Sequence, residues 1–418
     1  MPKSRTRPFP VLLLCALFLA PRPAPGQETV RRVSLAEALE AFAENSLALK
    51  IARSEMAGRL GAARQSRAYH NPGFLFERDD LGHDTESIWE QTFLILQQVE
   101  WPGRTGARAR AAAHAIGAGA ARFRADSIAL AFEVRDAYVL AWFAEEAESI
   151  VRRAASVIQA VAEDAEMRLE EGDISAYEAR RLRIEGVQVE LEVEDAGLRA
   201  RDARRMLAAL IAPGTRTGEV GPSEGPDGIP PMITRETAMA ALVDRPDVEV
   251  AAKELDAARA AVEVAGTNWI PEPTLGLGYR HRDDGLDGAR IAVDLPLPLL
   301  DRGSGRREEA AARSSAAAYR LDLRKEMAEH DLLTASDRFA SGRARLEAAA
   351  PTLLADGEAL LASAAAAYAE DEMTLLELLD AANAFRNARL SALSLTSEAW
   401  LAYYDLLRAM GGAPADGT

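Results

Sequence analysis

Few residues in this chain are placed to make or break bonds. The five histidines, His70, His83, His114, His281 and His330, are scattered without the spacing of metal ligands. Ser, His and Asp occur without a nucleophile elbow or another catalytic frame. The glycine-rich run Leu275-Gly276-Leu277-Gly278-Tyr279 lacks the strand-to-helix setting of a phosphate loop. What the spacing does offer is fixed charge. Ser175-Ala176-Tyr177-Glu178 and Thr374-Leu375-Leu376-Glu377 are both capping boxes, in which a hydroxyl and a carboxylate close the first turn of a helix on each other. Arg181 stands three residues after Glu178, and Asp380 three residues after Glu377. The helix dipole favours acids in a first turn, which by itself accounts for the two glutamates. Nothing here requires a cofactor, and the reading is that the chain is not an enzyme.

The elements that carry these charges are long helices. From Pro102 the next proline is Pro213, and the interval is helix-forming, broken only at Glu171-Gly172-Asp173. The arm over residues 104–168 would be ~100 Å long at ~1.5 Å per residue. Ser175 starts a return arm with Ile184, Val187, Leu191 and Leu198 as its expected seam. An earlier helix opens at the capping box Ser34-Leu35-Ala36-Glu37 and stops near Asn71-Pro72. Between it and the long arm lie two stretches of strand pattern. Phe74 and Phe76 mark the first, the acidic loop at residues 79–84 turns it, and residues 88–100 form the second. Its facing is open, since Leu94/Leu96 and Phe93/Ile95 are both apolar.

The plan then repeats. After a Pro/Gly linker at residues 213–232, a helix from Ile233 ends at Pro271. Leu275, Leu277 and Tyr279 alternate with Gly276, Gly278 and Arg280, and Ile291, Val293, Leu295 and Leu297 resume that alternation beyond the Asp283-Asp284-Gly285 turn. A second long arm leaves Gly303, bends at Pro351, breaks at Glu370-Asp371-Glu372 and restarts at Thr374. Val33 and Ile233 are 200 residues apart, Pro72 and Pro273 are 201, and Glu178 and Glu377 are 199. A register held that closely is a tandem duplication, dividing the chain into residues 27–212, the linker, residues 233–412 and a tail at 413–418.

Residues 1–26 read as a secretory signal, with Lys3, Arg5 and Arg7 before an apolar run and Ala24-Pro25-Gly26 for cleavage. Cys15 is the only cysteine and lies inside that run after Leu14, where a lipoprotein signal would have a small residue. Removing Lys3, Arg5, Arg7 and Arg22 takes the formal charge from −16 to −20. So acidic a surface repels nucleic acid. No later stretch is apolar for 18 residues, so any membrane crossing must use strands. Four strands cannot close a barrel, and an open edge in lipid strands its backbone groups at several kcal/mol each. Several chains must therefore share one wall. Three copies supply twelve strands, with Trp101 and Trp269 at the helical end, where an aromatic belt belongs.

The doubled plan over residues 33–412, together with Trp101-Pro102-Gly103-Arg104, Ile270-Pro271-Glu272-Pro273-Thr274, Leu295-Pro296-Leu297-Pro298-Leu299 and Thr374-Leu375-Leu376-Glu377-Leu378-Leu379-Asp380-Ala381, resembles the TolC-type outer-membrane efflux proteins, nearest to their CzcC-like cation-efflux branch. The resemblance implies a mainly α fold with a small β part, assembled as a homotrimeric channel-tunnel: a 12-stranded β-barrel in outer-membrane lipid on a 12-arm α-helical barrel in the periplasm of a Gram-negative-type envelope. It implies a passive exit duct whose hairpin tips meet a periplasmic adaptor fed by an inner-membrane efflux pump. By the same resemblance, Glu377 and Asp380 match the acids that ring the closed aperture, with Glu178 and Arg181 as their first-repeat counterparts. Gly172, Asp173, Asp371 and Glu372 match the docking turns, although the second turn lacks the family's glycine. The competing class is an exported periplasmic coiled-coil scaffold without a channel, which leaves the strand alternation unexplained. If Arg181 pairs with Glu377 or Asp380 across the aperture, Arg181→Gln should change closed-state conductance in planar bilayers. An unchanged conductance would count against that pairing.

Overall fold

The computed structural model describes residues 30–83, 86–214, 218–226, 228–370 and 372–412. The expected signal at 1–26 and the tail at 413–418 lie outside them. In chain order the elements are β1 (Arg31–Val33), α1 (Leu35–Asn45), α2 (Leu47–Ser66), β2 (Gly73–His83), β3 (Glu86–Gln98), α3 (Pro102–Glu171), α4 (Ala176–Ile211), β4 (Val220–Pro222), α5 (Arg235–Ala240), α6 (Pro246–Gly266), β5 (Thr274–Arg282), β6 (Gly288–Asp294), α7 (Ser304–Ala369) and α8 (Leu375–Ala409). Two helices expected as continuous are broken. Ser46 interrupts the first by capping α2, its hydroxyl accepting from Leu49 N–H at 3.3 Å. Pro246 interrupts the other because it has no N–H to continue the ladder, so α6 restarts there.

The helices build two tiers that share α3 and α7. Near the sheet, α2 packs on α3, α3 on α6 and α6 on α7. Towards the tips α4 packs on α3, α3 on α8 and α8 on α7. Between the tiers sits a belt that the linker does not leave loose. β4 runs parallel to β1, Arg31 opposite Val220 and Val33 opposite Pro222. The Tyr138 hydroxyl donates to the Glu224 carbonyl at 2.8 Å, Trp400 Nε1 to the Gly228 carbonyl at 3.1 Å and Arg343 to the Pro230 carbonyl at 2.8 Å. The buried Arg245 guanidinium completes the belt, donating to the carbonyls of Ala409 at 2.9 Å and Ala328 at 3.1 Å while Asp247 neutralises it. Satisfying those groups is what allows irregular backbone to be enclosed.

The seam of α4 differs from expectation. Ala179, Leu182, Val189, Ala196, Ala200 and Leu207 are buried, whereas Ile184, Val187, Leu191 and Leu198 are exposed. The two sets are offset by two residues, about 200° around a helix. They are two heptad stripes on opposite faces: the alanine-rich one fits the close approach of α3, and the bulkier one stays exposed among the described residues. In α8, Ala382, Phe385, Ala392 and Leu407 are buried along one face, as is Met410 just beyond its end.

The four longer strands form one antiparallel sheet in the order β2-β3-β5-β6. Its register settles the facing of the second strand. Phe74, Ile95, Leu277 and Ile291 align in one row and Phe76, Phe93 and Tyr279 in the next, so one face is continuously apolar, and every one of these side chains is exposed. Thr92, Leu94, Gly276, Gly278, Arg280 and Arg290 take the other face. There Glu90 pairs with Arg280 at 2.8 Å, and Arg290 donates to the Thr92 hydroxyl at 3.3 Å. Thr92 and Leu94 are only 2% and 3% exposed, so the sheet curls over this polar side. Gly278 permits the curl, because a Cβ there would stand 1.7 Å from the Phe93 carbonyl oxygen.

Two strand ends depart from the sequence pattern. The acidic residues Asp79 and Asp80 belong to β2, opposite Glu90 and Trp89, because charge does not prevent pairing at a wet end of a sheet; Asp84 lies outside the described residues. β6 stops at Asp294, since Pro296 and Pro298 cannot donate to a ladder.

The sheet joins the helices through a polar knot. The enclosed Glu100 carboxylate accepts from the Thr105 hydroxyl at 3.1 Å, pairs with Arg108 and faces His70 Nδ1 at 3.1 Å. Arg104 bridges Glu272 at 2.9 Å and Asn268 at 3.2 Å. Burial pushes the Glu100 carboxyl up, but the Arg108 and Thr105 hydrogen bonds outweigh it and hold the group below the ordinary glutamate range.

Two outcomes follow from this packing. Leu182→Ala should lower the hairpin's stability by about 2–5 kcal/mol, whereas Leu191→Ala in the isolated chain should stay within about 0.5 kcal/mol, both read by thermal unfolding of the helical circular-dichroism signal. A carboxyl with a depressed folded pKa contributes stability above its unfolded value and loses it as pH falls through the folded one. Thermal stability should therefore decline below about pH 4.3, and Glu100→Gln should flatten that part of the profile.

Candidate aperture and membrane-interface sites

Both hairpin turns are closed by the same bond across five residues: Asp173 N–H donates to the Arg168 carbonyl at 2.8 Å, and Glu372 N–H to the Ala367 carbonyl at 2.9 Å. In the first turn Gly172 takes a left-handed φ of 87°, which ends α3. Asp371, which stands where Gly172 stands in the first copy, lies outside the described residues. Gly172, Asp173 and Glu372 are exposed at the extremity.

The capping boxes form as the sequence indicates. The Ser175 hydroxyl accepts from Glu178 N–H at 3.2 Å while Ser175 N–H donates to the Glu178 carboxylate at 2.9 Å. Thr374 and Glu377 repeat this at 3.3 and 2.9 Å. The backbone N–H of the capping residue holds each glutamate below its ordinary range. Arg181 and Asp380 are exposed, and among the described residues neither forms an ion pair within the chain. One chain thus does not bring Arg181 to Glu377 or Asp380.

What the two hairpins do share near the tips is a contact the sequence did not reveal. Asp164 of α3 accepts from the Tyr368 hydroxyl of α7. Arg168, one turn on, donates to the same carboxylate at 3.0 Å and lays its guanidinium over the Tyr368 ring at 5.3 Å. The Asp164/Arg168 spacing is a visible i,i+4 pair, but its partner is 204 residues from Asp164. Beneath it Ile158, Val161, Leu182, Leu361, Leu375, Leu378, Leu379 and Phe385 form one apolar cluster drawn from all four arms. Further along, Arg153 pairs with Glu358 at 3.0 Å, and Arg386 with Glu192 at 2.5 Å. The tip region is therefore a greasy core fastened by ionic clasps between repeats.

At the other end, Trp101 caps the start of α3 and Trp269 precedes β5, both more than half exposed. Gln98 pairs with Thr274, which pairs with Asp294, so both tryptophans lie just beyond the last row of the sheet. Among the described residues, no three His, Cys, Asp or Glu side chains converge as a metal site would require, and no helix is long and apolar enough to cross a membrane.

Comparison with known proteins places this architecture. Residues 238–412 match the family model described as outer membrane efflux protein. The cobalt-zinc-cadmium resistance protein CzcC of Cupriavidus metallidurans is 25% identical over 92% of this chain and 91% of its own length. Among solved structures, a membrane protein from Pseudomonas aeruginosa superposes with a TM-score of 0.77 at 19% identity, over 92% of this chain and 94% of that one. The Campylobacter jejuni CmeC outer membrane channel gives 0.76 at 17% identity, over 90% and 85%. By its fold and these matches, the chain is similar to outer membrane efflux proteins, over residues 238–412 by the family model and over most of its length by CzcC.

Proposed function

We propose that this protein is the outer-membrane exit duct of a tripartite efflux system, extending into the periplasm as a homotrimer that a periplasmic adaptor couples to an inner-membrane pump. The observation that carries the reading is the sheet. It exposes an apolar face, turns a polar face inward, and leaves β2 and β6 as unpaired edges. Lipid tolerates no such edge, so β6 of one copy must meet β2 of the next until the wall closes. The exposed stripes agree with this arrangement. The outer arms α4 and α7 each carry apolar residues that stay exposed among the described residues: Ile184, Val187, Leu191 and Leu198 on one, and Tyr319, Leu323 and Met327 on the other. A neighbouring copy of the chain would cover them. A scaffold without a channel has no use for the sheet's apolar face.

The duct is passive, and its cargo is delivered to the tips. CzcC is named for cobalt, zinc and cadmium resistance, and by that kinship the cargo proposed for this chain includes divalent cations. Asp380 and Glu377, repeated three times, would present carboxylates at the opening, Glu377 also serving its helix as a cap. Gly172, Asp173, Asp371 and Glu372 would meet the adaptor. The closed state is held by the Asp164–Tyr368–Arg168 clasp, because it ties the first hairpin to the second near the narrow end.

Purified protein in planar bilayers tests the reading. Wild-type trimer should conduct weakly, and Tyr368→Phe or Asp164→Asn should raise single-channel conductance at least about twofold by removing a hydrogen bond worth roughly 1–3 kcal/mol. A chain that stays monomeric in micelles, or clasp variants that conduct like wild type, would overturn the duct or the gate respectively.

A further inference from the structure

Residues 295–300, Leu-Pro-Leu-Pro-Leu-Leu, follow the last strand and belong to no element. Leu295 and Leu297 continue the odd-numbered series of Ile291 and Val293, which lies on the apolar face of the sheet. All four leucines of the segment are exposed, Leu300 completely. Tyr69, Trp101 and Trp269 are exposed at the same level, since each lies within about five residues of the last paired row. The apolar band of the sheet thus runs without interruption into a skirt of unpaired chain.

Unpaired backbone is normally barred from an apolar medium, and here the number of open donors is reduced. Pro296 and Pro298 have no N–H, and Leu299 N–H is spent on the Leu297 carbonyl at 2.8 Å. Half of the six positions therefore present no donor. The carbonyls that remain open need water, which the headgroup level supplies and the hydrocarbon does not. Leucines that seek acyl chains, on a backbone whose open carbonyls and few remaining N–H groups need water, fit one depth.

We propose that residues 295–300 are an interfacial lipid anchor, lying at the headgroup–acyl boundary of the periplasmic leaflet and fixing, together with Trp101 and Trp269, how deep the barrel sits. The partner is phospholipid. The inference rests on the outer-membrane reading above, and a label on the sheet itself separates the two.

The only cysteine of the sequence is Cys15, so on a Cys15→Ser background single cysteines at Leu297, Leu300, Ile291 and Leu286 can each carry a nitroxide. Full-length trimer is reconstituted in phosphatidylcholine/phosphatidylglycerol vesicles, and collisions with oxygen and with a neutral nickel chelate are compared. Ile291 reports the lipid-facing sheet, and Leu286, in the β5–β6 turn, reports water. Labels at Leu297 and Leu300 should show an oxygen-to-nickel ratio within about twofold of Ile291 and well above Leu286. Ratios like that of Leu286 would overturn the anchor, as would shielding from both reagents, which would mean that a neighbouring copy covers the segment. If the Ile291 label itself collides chiefly with nickel, the membrane reading fails as well.

Discussion

A hydrogen bond not made inside lipid is the constraint on which the rest of this molecule depends. Each chain brings four strands and two open edges, and each edge is a column of donors and acceptors that hydrocarbon cannot satisfy. On the proposed reading, the remedy is closure through identical neighbours. Closure would also fix the number of helical arms below, because α3 follows β3 and α7 follows β6 in the chain. The apolar and polar faces of the sheet, the curl over Thr92 and Leu94, and the proline-studded exit of β6 are local answers to the same requirement.

The helical part answers a different one. Its arms must lie close to one another inside the chain and, on the proposed trimeric reading, close to a second chain outside it. In α4 the two tasks are divided between faces: alanines and Leu182 allow a near approach to α3, and Ile184, Val187, Leu191 and Leu198 offer bulk outward. Ionic rungs such as Arg110–Glu263 at 2.9 Å and Arg153–Glu358 at 3.0 Å decorate these contacts. Exposed as they are, such pairs contribute little energy and serve mainly to fix register.

Much of this was legible because it is written locally. Capping boxes at Ser34, Ser175 and Thr374, the helix break at Gly172, and the alternation at Leu275 to Tyr279 each need only a few consecutive residues, and each forms as read. Facing in β3 was not legible, since Leu94 and Ile95 are equally apolar and only pairing with β5 separates them. The inner seam of α4 was hidden because alanine gives a weaker periodic signal than the leucines and valines opposite. The clasp at Asp164 and the knot at Glu100 lay beyond reach for a simpler reason: Tyr368 and His70 stand on other elements, and no short-range spacing announces a partner on another element. The linker's role in the belt was masked by its composition, which signals turns but says nothing of Tyr138 and Trp400 waiting to receive its carbonyls.

Because α3 and α7 pass from one tier to the other without a joint, each is a strut running from its hairpin turn towards the sheet, and α3 reaches to within a few residues of β3. α3 begins four residues after β3 ends, with Arg104 and Arg108 tying that short span to Glu272 and Glu100. An axial load applied at the tips would therefore travel along α3 to the sheet with no compliant element to absorb it. Whatever seizes the periplasmic end also grips the membrane end, some ~100 Å away.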